Sequence, residues 1–222
     1  VTTLNPARTP ALPLFDPAAG ERPPRDAVEL YLETPVTLGV LHQAATEGGH
    51  REIVTAAEQA REAAVAAALA SLRREGSHLK VGPHYRRPGG GTVGLFLPGR
   101  LYITRITHLW VEGWDDVPRL HDHIYIGAQG IADEDGQHWP TDFYSLRTQV
   151  VSILNAEHRG ALHRSLMESI GAVWSIPAYG QMELVEPPLE QYVDDYPRVF
   201  CPSSSVSRWI VQDMVLPPGV ER

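Results

Sequence analysis

The stretch Tyr102-Ile103-Thr104-Arg105-Ile106-Thr107-His108-Leu109-Trp110, followed by Leu120-His121-Asp122-His123-Ile124-Tyr125-Ile126-Gly127, decides how this chain is read. Residues two apart on a β-strand share a face, so His121 and His123 present two imidazoles side by side. Residues 101–111 also alternate and are rich in β-branched and aromatic side chains, and the link holding Gly113, Asp115, Asp116 and Pro118 has hairpin-loop character. With the two strands paired antiparallel, His108 near the end of the first returns close to His121 at the start of the second. A chain with 10 His carries a His-x-His pair easily; the third histidine on the preceding strand is what distinguishes this one. Three neutral imidazoles on adjacent strands can hold one divalent cation and leave positions open for water or substrate, as a catalytic metal site requires.

Outward from this stretch, the pattern is that of a mixed fold. Val28–Glu33 alternates as a strand, Thr34-Pro35 stops it, and residues 36–45 enter a helix. From His50 to Glu75 the chain is Ala-rich, with Ile53, Ala57, Ala60, Ala64, Ala68 and Leu72 at helical spacing, a face that can lie close to a sheet. Gly76-Ser77 ends that helix, and a loop with Arg86, Arg87 and Gly89-Gly90-Gly91 follows. Strands are expected at 92–97, 101–111 and 121–129. A second long helix runs from Tyr144 to Ile170 and is closed by Gly171. Residues 172–177 and 181–185 read as a hairpin through Tyr179-Gly180. His158 and His163, five apart on the second helix, do not share a face and read as surface groups. Two long helices interleaved with about five strands give an α/β (α+β) fold with a largely antiparallel central sheet, a palm-like or RRM-like core.

Length and composition bound the rest. The chain has 222 residues, 43% of them hydrophobic and 21% charged, enough for one sizeable domain with a buried core. Residues 1–26, rich in Pro and Ala, read as a flexible or loosely packed arm, 27–215 as the domain and 216–222 as a tail. No apolar run reaches membrane-spanning length and no signal pattern opens the sequence, so a cytoplasmic protein is expected. The single Cys, Cys201, excludes an intramolecular disulfide. A net charge of -8 argues against broad nucleic-acid affinity, although Arg86, Arg87 and Arg105 fall in a central span where a local basic face is open. The tryptophans and Arg198 and Arg208 are open to either packing or nucleic-acid contact.

Over residues 28–210 the chain resembles the relaxase domain of TrwC/TraI (MobF) type, a branch of the HUH endonucleases. Residues 27–41, beginning Ala27-Val28-Glu29-Leu30-Tyr31, are similar to the family's D-L-T-F-S-A-P-K-S-V-S strand and turn. Thr107-His108, the Asp-x-Pro at 116–118 and Leu120-His121-Asp122-His123 resemble the family's single His followed by D-P-Q-L-H-T-H. Residues 135–139, 144–146 and 171–174 resemble the segment after it, in the same order.

The resemblance implies metal-dependent, site- and strand-specific nicking and joining of single-stranded DNA at a transfer origin, for conjugative transfer of a plasmid or integrative element. It implies a divalent ion, Mg²⁺ or Mn²⁺ with Zn²⁺ as the alternative, on His108, His121 and His123. It implies for Glu29 the part of the family's Asp, which orients a metal-site histidine or helps to activate the nucleophilic tyrosine. Arg86, Arg87 and Arg105 become candidate DNA contacts, and other mobilisation proteins become candidate partners. The chain departs from the family in having no tyrosine before Tyr31, where the family's nucleophile lies near the N-terminus, and in Val36 for a lysine. The resemblance is thus to a relaxase domain that is either N-terminally truncated in this sequence or divergent and without the covalent step, and two alternatives stay open: a divergent three-histidine metal domain acting on a substrate other than DNA, and a catalytically inactive DNA-binding domain.

Overall fold

A computed structural model describes residues 11–86, 88–89, 92–109, 118–175, 182–188, 191–192 and 209–211. Strand β1 (Val28–Glu33) leads into helix α1 (Val36–Glu47) and the long helix α2 (Arg51–Ser71), which continues through a π turn at Leu72–Gly76. Strands β2 (His78–Arg86), β3 (Thr92–His108), β4 (His121–Ala132) and β5 (His138–Pro140) follow. A short helix α3 (Phe143–Ser145) and a π turn at Leu146–Val150 enter helix α4 (Val151–Ile170), and β6 (Val173–Trp174), β7 (Leu184–Glu186) and β8 (Trp209–Val211) complete the described elements.

The main sheet has six strands in the order β2-β3-β4-β1-β8, with β5 added beside β4, and its strand pairs are antiparallel. This is the expected α/β fold with a largely antiparallel sheet and two long helices. One face of the sheet is covered by α2 and α4, where Leu30, Leu32, Ile124 and Ile126 pack with Val65, Ala68, Leu72, Leu146 and Leu154. A second cluster joins α1 to the first half of α2 and the last half of α4 through Leu38, Leu41, Ala57, Ala60, Ala64, Leu162 and Leu166. The alanine stripe of α2 is fully buried at Ala57, Ala60 and Ala64, so methyl groups alone separate this helix from its neighbours. Gly171 closes α4 in the left-handed conformation, φ 68°, as the spacing predicts.

Three elements differ from expectation. Residues 78–86 form a strand rather than a loop, held by pairing with β3, and the bulge between Val81 and Tyr85, where Gly82 takes φ 69°, breaks the alternation that would mark it. Residues 92–97 and 101–108 are one strand, because β3 passes from β2 to β4 at Pro98-Gly99 and so loses no partner there. Residues 11–16 of the expected arm lie on the sheet: Leu12 bridges Tyr102, Thr104 Oγ1 accepts from the Leu14 and Phe15 amides at 3.1 Å, and Phe15 is buried. The turn at Tyr179-Gly180, Cys201, Trp110, Trp114, Arg198, Arg208 and the tail 216–222 fall outside the described residues.

The surface reading of the helix histidines is corrected. His158 is fully buried, because the α4 stripe Leu154, His158, Leu162 and Leu166 recurs every four residues and faces the core. His163 stacks on Trp174 at 4.1 Å. Neither ring nitrogen of His158 has a hydrogen-bond partner among the described residues, and burial pushes its pKa down from 6.5 to about 4.

Two outcomes are expected of this packing. Ala60→Leu should destabilise the protein by about 1–3 kcal/mol in urea unfolding through overpacking, whereas Ala63→Leu, on the exposed side of the same turn, should change it by less than about 0.5 kcal/mol. For His158 the folded pKa lies below the unfolded one, so between pH 6.5 and about 4 the unfolded chain binds more protons. The stabilisation by the neutral form is complete above pH 6.5 and is lost as pH falls through that window, by about 3 kcal/mol at most. Comparing urea midpoints at pH 7 and 4.5, His158→Leu should show a smaller drop than the wild type; an equal drop would show that His158 is not the group titrating.

Candidate metal centre

The two-residue period of β4 sends its side chains to opposite faces of the sheet. His121, His123 and Tyr125 point to the face away from the helices, and Asp122, Ile124 and Ile126 to the helix side. Register brings His108 opposite His121, Ile106 opposite His123, and on the other flank Glu33 opposite His121, Tyr31 opposite His123 and Glu29 opposite Tyr125. The expected return of His108 to His121 is therefore what the strand pairing does.

One nitrogen from each of His108, His121 and His123 falls within 4.8 Å of the others. His121 Nδ1 donates to the Arg119 carbonyl at 2.7 Å, and His123 Nδ1 is hydrogen-bonded to Glu29 Oε1. With both Nδ1 atoms engaged as donors, the lone pairs belong to Nε2, and these two Nε2 atoms face each other at 3.1 Å. Two lone pairs held so close require a shared cation or an added proton. Metal–imidazole bonds of about 2.1 Å reach one point from the His121 and His123 Nε2 atoms, and the three-imidazole donor set suits a divalent ion. His121 is buried, His123 half-buried and His108 exposed, which leaves the cluster open on the His108 side.

The surroundings favour neutral imidazoles. Burial lowers His121 to about 4, and burial together with His123 lowers His108. Proton competition for these nitrogens is thereby moved to more acid pH. Glu29, only 4% exposed, also accepts from the Tyr125 hydroxyl, whose pKa burial and the Glu29 charge push up to about 12. The Tyr31 ring packs against His121 and His123, with centroids 4.8 and 5.2 Å away. Glu33 pairs with Arg119 at 3.3 Å, which steadies the residue whose carbonyl holds His121.

On the helix side, Asp122 is 1% exposed and its Oδ1 accepts from Arg105 Nε at 2.6 Å, Thr107 Oγ1 at 2.6 Å and Arg61 Nη1 at 2.9 Å. Arg105 also forks onto Glu62 at 2.7 and 2.9 Å, which holds the Glu62 carboxyl below its usual range. Arg105 thus lies across the sheet from the imidazoles and ties β3 and β4 to α2. Arg86 ends β2 at the far end of the β2–β3 hairpin, and Arg87 lies outside the described residues. The sequence alone does not single out Arg119 or the Asp122 network, and it places Tyr31 in a strand with no role at the site; the signal for Asp122 is its place between two histidines, which obliges it to face α2.

The fold has solved counterparts. A metal-free complex of the conjugative relaxase TrwC with oriT DNA aligns with TM-score 0.54 and 19% identity, covering 75% of this chain and 53% of that one. The chain has the relaxase fold of TrwC. TrwC complexed with a 27-mer DNA comprising the recognition hairpin and the cleavage site aligns at TM-score 0.53 and 19% identity over 75% of this chain and 54% of that one. A metal-bound TrwC complex with oriT DNA aligns equally well, at TM-score 0.53 and 19% identity over 75% and 52% of the two chains. The chain spans about half the length of these TrwC structures. No family model and no curated protein matches the sequence.

Calorimetry with Mn²⁺ or Zn²⁺ should give one site per chain. His121→Ala should abolish it, and Glu29→Gln, which keeps shape but removes the charge behind His123, should weaken it about 10- to 100-fold. Equal binding by wild type and His121→Ala would remove these imidazoles from consideration as ligands.

Proposed function

We propose that this chain is a relaxase-type domain that cuts and rejoins single-stranded DNA at a defined site in a transfer origin, in conjugative transfer of a plasmid or integrative element. The observation that carries the reading is the convergence of the His121 and His123 Nε2 atoms, with His108 beside them, on the open face of a sheet with the TrwC relaxase fold. In this reading His108, His121 and His123 hold Mg²⁺ or Mn²⁺, with Zn²⁺ as the alternative. A bound cation there supplies positive charge to a scissile phosphate.

The chain's own residues do the rest. Glu29 fixes the His123 ring and its tautomer, since its carboxylate accepts at Nδ1 and so directs Nε2 outward. Arg119 does the same for His121 through its carbonyl. Phenol chemistry on this face is divided: Tyr125 is kept protonated by burial and Glu29, whereas Tyr31 lies against the imidazoles. Arg86, the last residue of β2, and Arg87 are proposed as phosphate contacts. Arg105 is proposed to act through Asp122, setting the strand that bears the histidines. DNA in the cytoplasm and other mobilisation proteins are the partners this reading brings.

One observation favours a second reading, a three-histidine domain that uses bound water on a substrate other than DNA. The arginines nearest the site, Arg61, Arg105 and Arg119, are each paired with carboxylates, and the chain carries a net charge of -8. A catalytically inactive DNA-binding domain is the third reading.

Manganese-dependent cleavage of single-stranded origin oligonucleotides separates them. The relaxase reading expects a nicked product with the 5′ phosphate covalently on protein, lost in His121→Ala and slowed about 10- to 100-fold in Glu29→Gln. Cleavage with a free 5′ phosphate points to water as nucleophile on DNA, binding without cleavage to the third reading, and neither binding nor cleavage overturns the proposal in favour of a substrate other than DNA.

A further inference from the structure

The three residues that carry the chain into β4, Pro118-Arg119-Leu120, are tied to both sides of the imidazole cluster. The Arg119 amide donates to the carbonyl of Leu109, one residue past His108, at 2.7 Å, and the Arg119 carbonyl accepts from His121 Nδ1 at 2.7 Å. One residue thus links the strand end that bears His108 to the ring of His121. It lies outside β4, which begins at His121, and its seat is made by the turn Thr34-Pro35 and the first turn of α1.

Two contacts make that seat. The Leu120 carbonyl accepts twice from Thr34, from its amide at 3.1 Å and from its hydroxyl at 2.9 Å, and Thr34 is buried. On the other side of Arg119, Pro118 lies directly on Gly39 of α1. A Cβ at Gly39 would stand 2.3 Å from the Pro118 carbonyl oxygen, 2.9 Å from its carbon and 3.3 Å from Arg119 Cα. All three are backbone atoms, so no side-chain rotation relieves the clash. The link would have to move by about 1 Å to regain van der Waals contact. Glycine within a helix is otherwise unfavourable, because of the backbone freedom it surrenders. Gly39 has no left-handed φ to account for it, so the close approach of Pro118 is what a side chain there would destroy.

We infer that Gly39 and Thr34 are positioning residues for His121: they seat the 118–120 link so that the Arg119 carbonyl keeps the ring proton on Nδ1 and leaves the Nε2 lone pair to a metal. The inference rests on the three-histidine part of the reading above and not on DNA cleavage. A neutral imidazole holds one proton, and the hydrogen bond at one nitrogen decides where it sits. The bond from His121 to Arg119 measures 2.7 Å, and a displacement of about 1 Å takes it past hydrogen-bond range. The proton is then free to move to Nε2, where it blocks coordination. Because the amide of the same residue holds Leu109, the displacement also loosens the strand end behind His108. His123, oriented by Glu29, keeps its own support.

Two measurements on the full chain test this. Manganese affinity by calorimetry should fall roughly 10- to 100-fold in Gly39→Ala. It should fall roughly 2- to 10-fold in Thr34→Val, which keeps the shape and removes the hydroxyl, whereas Thr34→Ser, which keeps the hydroxyl, should bind as the wild type does. Ring-nitrogen NMR spectra of the metal-free chain at neutral pH should show the His121 proton on Nδ1 in wild type and Thr34→Ser, with a share of it on Nε2 in Gly39→Ala. A loss of fold stability alone would not move that proton between the ring nitrogens. Wild-type affinity in Gly39→Ala, weakened affinity with the His121 proton still on Nδ1, or equal affinity in the two Thr34 variants overturns the inference. Should Gly39→Ala fail to fold, the Thr34 pair decides alone. A wild-type chain that binds no manganese sinks the metal reading, whereas the ring spectra, taken without metal, still decide on the two positioning residues.

Discussion

Asp122 is the buried charge on which both faces of the sheet depend. A carboxylate taken out of water on the helix side must be compensated, and Arg61, Arg105 and Thr107 do this from α2 and β3. Once Asp122 is held there, the pleat of β4 leaves its neighbours no choice: His121 and His123 go to the other face. Removing both arginines would leave an uncompensated charge in the interior, at a cost of about 3–5 kcal/mol. The ion network therefore sets which way the imidazoles point as well as how well the sheet is joined to α2. On the open face Glu29 and the Arg119 carbonyl complete the orientation by occupying the two Nδ1 atoms.

Much of this was legible before any coordinates. Alternation in β1 and β4, the helical spacing of the α2 alanines and the glycine after α4 are local signals, and the structure follows them. The meeting of His108 with His121 was legible too, because a hairpin-like link between alternating strands leaves few registers. What was not legible arose from long-range compensation. The strand β2 is held by pairing with β3 across a bulge, and its own residues, with Gly82 and Pro83 in the middle, carry no clean period. His158 looked like a surface group because His163 was read with it; the correct companions are Leu154 and Leu162, four residues to either side. Leu12, Leu14 and Phe15 are few among prolines and alanines, yet they suffice to dock the N-terminal stretch once Thr104 offers its hydroxyl.

The candidate site shows the same division. The three histidines are a sequence feature. Tyr31 reaches them only because β1 pairs with β4 in one register, and Arg105 is turned away from them by the parity of β3, which no composition argument addresses.

The continuity of β3 has a mechanical consequence. This single strand of 17 residues begins at the outer tip of the β2–β3 hairpin and ends at His108, the exposed member of the cluster. It is a lever roughly 55 Å long, with its fulcrum at Pro98-Gly99 where it changes partners. Whatever grips the tip pulls on the same backbone that carries the rim imidazole, so displacement at one end is absorbed by flexing at the fulcrum or is delivered to the other.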